Sequence, residues 1–164
     1  MNEKVVINWS EPVELFMPGI YNTDEKFIEH LRKFILENEN PIFDEKGIYM
    51  FLSGTLKPQE KLSIVIIEDA IDSTIRDKIA KKKGHVREFK CLYKNYKNEN
   101  LYIKIGKLEE SNVKNSVEKV LCSLINYVSP SCIEPCKQNS GKQIIIYNKG
   151  SFSPLNQIYG LQEE

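Results

Sequence analysis

The sequence predicts an α+β domain, a small mixed or antiparallel β-sheet flanked by helices. Three observations carry this reading. Short runs of branched and aromatic residues alternate with longer stretches whose apolar residues recur every three or four positions. Two of the strand runs follow each other with only a turn between them, unlike the regular strand–helix alternation of a parallel sheet. The 164 residues, 41% of them hydrophobic, suffice for a single core. One domain is therefore expected over 1–164, with a strand–helix extension over about 1–45 and an irregular tail over 151–164.

The first strand is read at Val5-Val6-Ile7, and a loop containing Pro18-Gly19 follows. A helix is expected from Asp24, where Phe27, Ile28, Leu31, Phe34 and Ile35 form one apolar face. Asn38-Glu39-Asn40-Pro41 stops it. Gly47 to Leu52 reads as a buried strand, and Leu62 to Ile67, dominated by branched residues, as a second. Pro58 marks the turn between them.

Asp72-Ser73 offers a cap for a short helix holding Ile75, Ile79 and Ala80. Lys81-Lys82-Lys83-Gly84 is its stop signal. Lys94 to Asn100 is polar and turn-like, and Leu101 to Ile105 alternates as a strand. Val113, Val117, Val120, Leu121, Leu124, Ile125 and Val128 define the clearest helix, which ends before Pro130. A last strand spans Gln143 to Tyr147 and closes at Asn148-Lys149-Gly150.

Charge narrows the function classes. Twenty-three basic residues balance 23 acidic ones, so no net field draws in phosphate. No apolar run is long enough to span a bilayer, and the polar start Met1-Asn2-Glu3-Lys4 has no signal-peptide core after it. A cytoplasmic protein without a membrane partner is expected. The four cysteines, Cys91, Cys122, Cys132 and Cys136, are too few for a disulfide scaffold and are expected as reduced, partly buried thiols. The Cys132-x-x-x-Cys136 spacing could hold zinc, but Cys91 and Cys122 supply no matching second pair.

Three side chains border buried faces and could carry chemistry. Glu118 lies roughly 20° around its helix from Ile125 and about 60° from Leu121, at the rim of the apolar stripe. A carboxylate there can hold a divalent cation, or simply pair with Lys114 or Lys119. Arg76 stands beside Ile75 and Ile79, where a guanidinium can clamp phosphate or keep its head in water over a packed stem. Tyr49 sits in mid-strand, so its hydroxyl needs a partner in the core or in a site. Lys81-Lys82-Lys83 with Arg87 offers backbone-phosphate contacts or a solvated helix end. His30 reads as structural and His85, after a helix-ending glycine, as exposed.

The order of these pieces resembles the GIY-YIG nuclease superfamily. The resemblance rests on Ile7-Asn8-Trp9-Ser10-Glu11-Pro12, Gly47-Ile48-Tyr49, the strand Ile64 to Ile67, Arg76, the stretch Leu101 to Leu108 with Gly106, Glu118 followed by Pro130, and Asn148-Lys149-Gly150. It covers most of the chain in short motifs. It implies a three-stranded sheet flanked by helices. It implies catalytic roles for Tyr49 (activating the attacking water), Arg76 (meeting the developing phosphate charge) and Glu118 (holding Mg2+ or Mn2+).

The chain departs from the family pattern in its second motif. The second tyrosine and glycine fall near Ile66 and Glu68, Ala80 replaces a histidine or tyrosine, and the asparagine after Pro130 is missing. Two functions follow as expectations. One is an atypical nuclease-like domain with metal-dependent phosphodiester hydrolysis of DNA. The alternative is an inactive nuclease-fold module that binds nucleic acid or a protein partner. An unrelated α+β interaction protein is the third reading.

Overall fold

The computed structural model describes residues 3–80, 84–111, 117–137 and 144–160. The lysine run 81–83, the start of the expected late helix at Val113 and Lys114, Gln143 and the tail end 161–164 lie outside these residues.

The sheet elements are β1 (Glu3–Trp9), β2 (Val13–Glu14), β3 (Gly47–Thr55), β4 (Lys61–Ala70), β5 (Asn100–Ser111), β6 (Ile144–Gly150) and β7 (Ile158–Tyr159). The helices are α1 (Asp24–Glu37), α2 (Ile75–Ala80), α3 (Val86–Tyr96) and α4 (Val117–Val128). The α+β class is thus observed, built among the described residues on a mixed sheet of seven strands in the order β4-β3-β5-β1-β6-β7, with β2 on β5. β1 and β6 are parallel; the other pairings are antiparallel. The sheet is larger than the three strands the resemblance implies. The segment expected as an extension instead supplies β1, an interior strand, and α1, a core helix.

Side chains alternate across this sheet and feed two cores. Tyr49 and Phe51 point to one face, where they pack with Phe27, Leu31 and Ile35 of α1, Ile75 and Ile79 of α2, and Phe89 and Leu92 of α3. Ile48, Met50 and Leu52 point to the other, against Val120, Leu121, Leu124 and Ile125 of α4. Lys104 of β5 is fully buried, and its ammonium donates to the carbonyls of Ser151 at 2.9 Å and Ser153 at 2.6 Å. Those bonds and β7 tie the described part of the tail to the sheet, where irregular structure is expected from the sequence.

The outer motifs of the resemblance lie side by side. In the parallel β1–β6 ladder Ile7 faces Asn148 and Trp9 faces Gly150. The Trp9 indole N–H donates to Asn148 Oδ1 at 2.9 Å, and Asn148 donates onward to the Asn156 carbonyl. A Cβ on Gly106 would come within 2.8 Å of the Trp9 ring, so the missing side chain is what seats the indole. These residues build the sheet rather than a cleft.

Three helices, α1, α2 and α3, build the helical face. Thr23 caps α1 by accepting from the Lys26 amide, and Asp24 and Glu25 suit its first turn. The short α2 is capped by Thr74, which accepts from Asp77 N at 3.1 Å, rather than by the expected Asp72-Ser73. α3 falls in a stretch the sequence reading leaves partly turn-like, yet Phe89 and Leu92 are buried and Tyr93 and Tyr96 pack beside them at helical spacing.

Candidate functional site at the β4 edge

The site is built by an irregularity in one hairpin. From Thr55↔Lys61 to Leu52↔Ile64 the β3–β4 register is regular, and then Phe51 pairs with Ile66. Val65 is the extra residue of a bulge. Because side chains alternate with period two, that single residue turns Glu68 to the face occupied by Tyr49, its direct partner across the ladder. Without it Tyr49 would oppose Ile67. β4 is an edge strand, and its free edge at the bulge is covered by the segment after α4: Ser131 N donates to Ile64 O and Cys132 N to Val65 O.

His85 completes the cluster. It precedes α3 with a left-handed backbone, φ +66°, a conformation that few non-glycine residues adopt. Its carbonyl accepts from Phe89 N at 2.9 Å, and the Phe89 ring meets the imidazole edge-on. The ring lies between the two strands' side chains: Nε2 is 3.3 Å from the Tyr49 hydroxyl, and Nδ1 is 3.8 Å from Glu68 Oε1. Glu88, in the first turn of α3, faces the same point, and ligand atoms of Glu68, His85 and Glu88 all lie within 4.8 Å of one another. The expectation that His85 is exposed is corrected: 14% of its side chain is accessible, because α3 folds back over the sheet.

The electrostatics follow from this crowding. Burial, then the neighbouring charges of Glu88 and Asp69, push the Glu68 carboxyl up to about 7, with Lys78 opposing. Burial holds the His85 imidazole below its usual value, although nearby Glu88 works against it. Burial and then the Glu68 charge keep the Tyr49 hydroxyl protonated well above the ordinary phenol range. Glu68 and Glu88 line a hollow of about 290 Å³ together with Leu121, Ile125 and Ile133 and with the exposed pair Arg87 and Glu134.

The three residues singled out in the sequence take separate places. Tyr49 is at this site but 1% exposed, with its hydroxyl against His85 Nε2, and it does not line the hollow. Arg76 is a structural clamp. Its Nη1 donates to the carbonyls of Ile35, Leu36 and Asn38, its Nη2 to that of Asn40, and Nε and Nη2 grip the Asp44 carboxylate. The Ile35 and Leu36 carbonyls are among those that the end of α1 leaves without helical partners, and Asn38 and Asn40 belong to the link that follows. The guanidinium also lies over the Phe43 ring, 5.7 Å from its centre. Glu118 is exposed in the first turn of α4, on the opposite face of the sheet, and does not line the hollow. The structure therefore does not bring Tyr49, Arg76 and Glu118 together.

The cysteines also differ from expectation. Cys91 is bonded to Cys132 and Cys122 to Cys136, with Cα separations of 5.8 and 5.4 Å. The reduced-thiol reading is corrected, as is pairing of Cys132 with Cys136 around zinc. Both bridges tie the segment at the β4 edge, one to α3 and one to α4, and Cys132 and Cys136 stand in the wall of the hollow. Their spacing hid this because the partners sit on α3 and α4, 41 and 14 residues away.

No protein-family model matches this chain, and no curated protein or solved structure matches it at a significant level. No helix among the described residues is long and apolar enough to cross a membrane.

Proposed function

We propose that the protein is an atypical nuclease-like hydrolase of the GIY-YIG kind, cleaving DNA phosphodiesters with a divalent ion, Mg2+ or Mn2+, at the β4-edge hollow. The observation that supports this reading is the convergence of Tyr49, His85, Glu68 and Glu88 beside a hollow that Arg87 also lines. Two carboxylates alone would repel a phosphodiester; a cation held between Glu68 and Glu88 would reverse the sign and supply Lewis-acid polarisation of a phosphoryl oxygen. Arg87, 81% exposed, is free to exchange Glu134 for a non-bridging phosphate oxygen, the role that Arg76 cannot take while it clamps α1. The attacking water forms the new bond to phosphorus and gives up one proton, the bond to the leaving sugar oxygen breaks, and that oxygen takes up one proton, so the protons balance.

A second reading is favoured by a specific observation: Arg76 and Glu118 stand away from Tyr49. An inactive nuclease-fold module that binds nucleic acid or a protein partner would need neither of them at a site.

Incubating supercoiled DNA with the protein and Mg2+ or Mn2+ separates the two. Hydrolysis predicts nicking that falls at least about 10-fold in His85→Asn, a change that tolerates the left-handed backbone, and that persists in Glu118→Ala. Absence of nicking with salt-sensitive retention of DNA would establish the inactive binder. Absence of both would leave a protein partner.

A further inference from the structure

We infer that Glu68, the Nδ1 atom of His85 and Glu88 form the seat of a first-row transition-metal dication, with Tyr49 as the residue that positions the imidazole. The location rests on the reading of the hollow as the functional site, but the metal seat stands or falls on its own, whether or not DNA is cut.

The three ligands come from two rigid elements. Glu68 projects from β4, His85 immediately precedes α3, and Glu88 lies in the first turn of that helix. Their ligand atoms lie within 4.8 Å of one another. Ligands about 2.1 Å from a common ion stand roughly 3–3.5 Å apart, so a modest rotation of the two glutamate side chains closes the set. His85 is the least adjustable member. Its ring is held by the Tyr49 hydroxyl on one nitrogen, by the Phe89 ring at its edge and by a left-handed backbone beneath it.

The orientation fixes which nitrogen is the ligand. With Nε2 at 3.3 Å from Tyr49, Nδ1 is the atom turned to Glu68. On metal binding Nδ1 supplies its lone pair, and Nε2–H donates to the Tyr49 oxygen. A hydrogen-bond partner on the far nitrogen is the usual device for fixing a ligating imidazole. Two carboxylates and a neutral imidazole carry two negative charges, which a dication cancels. Glu68 and Glu88 line the hollow, which is the route by which water or a substrate oxygen would reach the ion.

An imidazole ligand selects the ion. Mg2+ favours an all-oxygen set that keeps several waters, whereas nitrogen ligation favours Mn2+, Co2+ and Zn2+ in rising order. The chemical class is thus a borderline transition dication with open positions for water or substrate oxygen.

Co2+ is the direct probe, because its visible absorption reports ligation without any substrate. Titration of the purified, disulfide-intact chain should give a saturating visible spectrum, displaced by Zn2+ and not by a similar amount of Mg2+. Glu68→Gln, Glu88→Gln and His85→Asn should each weaken Co2+ binding by about 10–100-fold, and Tyr49→Phe by about 10-fold. Far-UV circular dichroism checks that each variant is folded. A featureless titration, displacement by Mg2+ as readily as by Zn2+, or unchanged binding in His85→Asn and Glu88→Gln would overturn the proposal. A bound Co2+ in a protein that cuts no DNA would keep the metal seat and discard the hydrolase.

Discussion

Tyr49 and Glu68 stand directly opposite each other across the β3–β4 ladder, on the same face of the sheet. The pairing exists because Val65 bulges, and it places a phenol and a carboxylate around one imidazole. Neither strand alone makes a site. The bulge, the left-handed His85 and the fold-back of α3 make it together.

The crowding at Glu68 has a cost that depends on pH. Its carboxyl is raised to about 7 in the folded chain against an ordinary value near 4.5. The folded state therefore holds its proton over a range in which the unfolded state releases it. Stability falls as pH rises through that window, by about 3 kcal/mol at ~1.4 kcal/mol per pH unit. His85 works the other way: its lowered value withdraws stability as pH falls below about 6.5. Urea unfolding of Glu68→Gln should show a gain over wild type at pH 8 that disappears near pH 4. An equal difference at both pH values would contradict the burial of Glu68.

Arg76 is expected to matter for stability before it matters for chemistry. Replacing it by Ala leaves four backbone carbonyls near the end of α1 and the 3-10 turn Pro41–Asp44 short of a donor. The loss should reach about 2 kcal/mol or more, since bonds from a charged donor to neutral acceptors are worth roughly 1.5–3 kcal/mol. Thermal unfolding measures it, and Co2+ binding of the folded variant should stay at the wild-type level. A variant as stable as wild type would show that the clamp is dispensable.

The two disulfides give a third prediction. Thiol titration of denatured, unreduced protein should find no reactive cysteine. Reduction should lower the unfolding free energy by about 2–4 kcal/mol for each bridge, because both close loops in the unfolded chain. Reactive thiols in the unreduced protein would remove the bridges from the account. Bonds of this kind form in oxidising compartments, which weighs against the cytoplasmic expectation.

Much of the frame was legible in the residues. The apolar face Phe27, Ile28, Leu31 and Ile35 announced α1, and Val120, Leu121, Leu124 and Ile125 announced α4, because burial imposes the helical period on sequence. Tyr49 drew notice because a mid-strand hydroxyl needs a partner, and the structure gives it His85. The rest of the site was hidden by local geometry. Counting from the hairpin turn puts Glu68 on the wrong face, since a bulge leaves no simple mark in sequence. α3 begins at a left-handed histidine rather than at Ser, Thr, Asp or Asn, so its start lacked the usual signal, although Phe89, Leu92, Tyr93 and Tyr96 carried its period. Arg76 misled because its position beside Ile75 and Ile79 is the same for a phosphate clamp and for a clamp on α1.

The central claim is that the ion-binding centre lies at Glu68, His85 and Glu88 and not at Glu118. Amide NMR spectra recorded as Mn2+ is added test it most directly, because paramagnetic broadening falls steeply with distance from the ion. The account predicts that Mn2+ broadens the Glu68, His85 and Glu88 amide signals first, and that this broadening is lost in Glu88→Gln and kept in Glu118→Ala. Broadening lost in Glu118→Ala and kept in Glu88→Gln would contradict it.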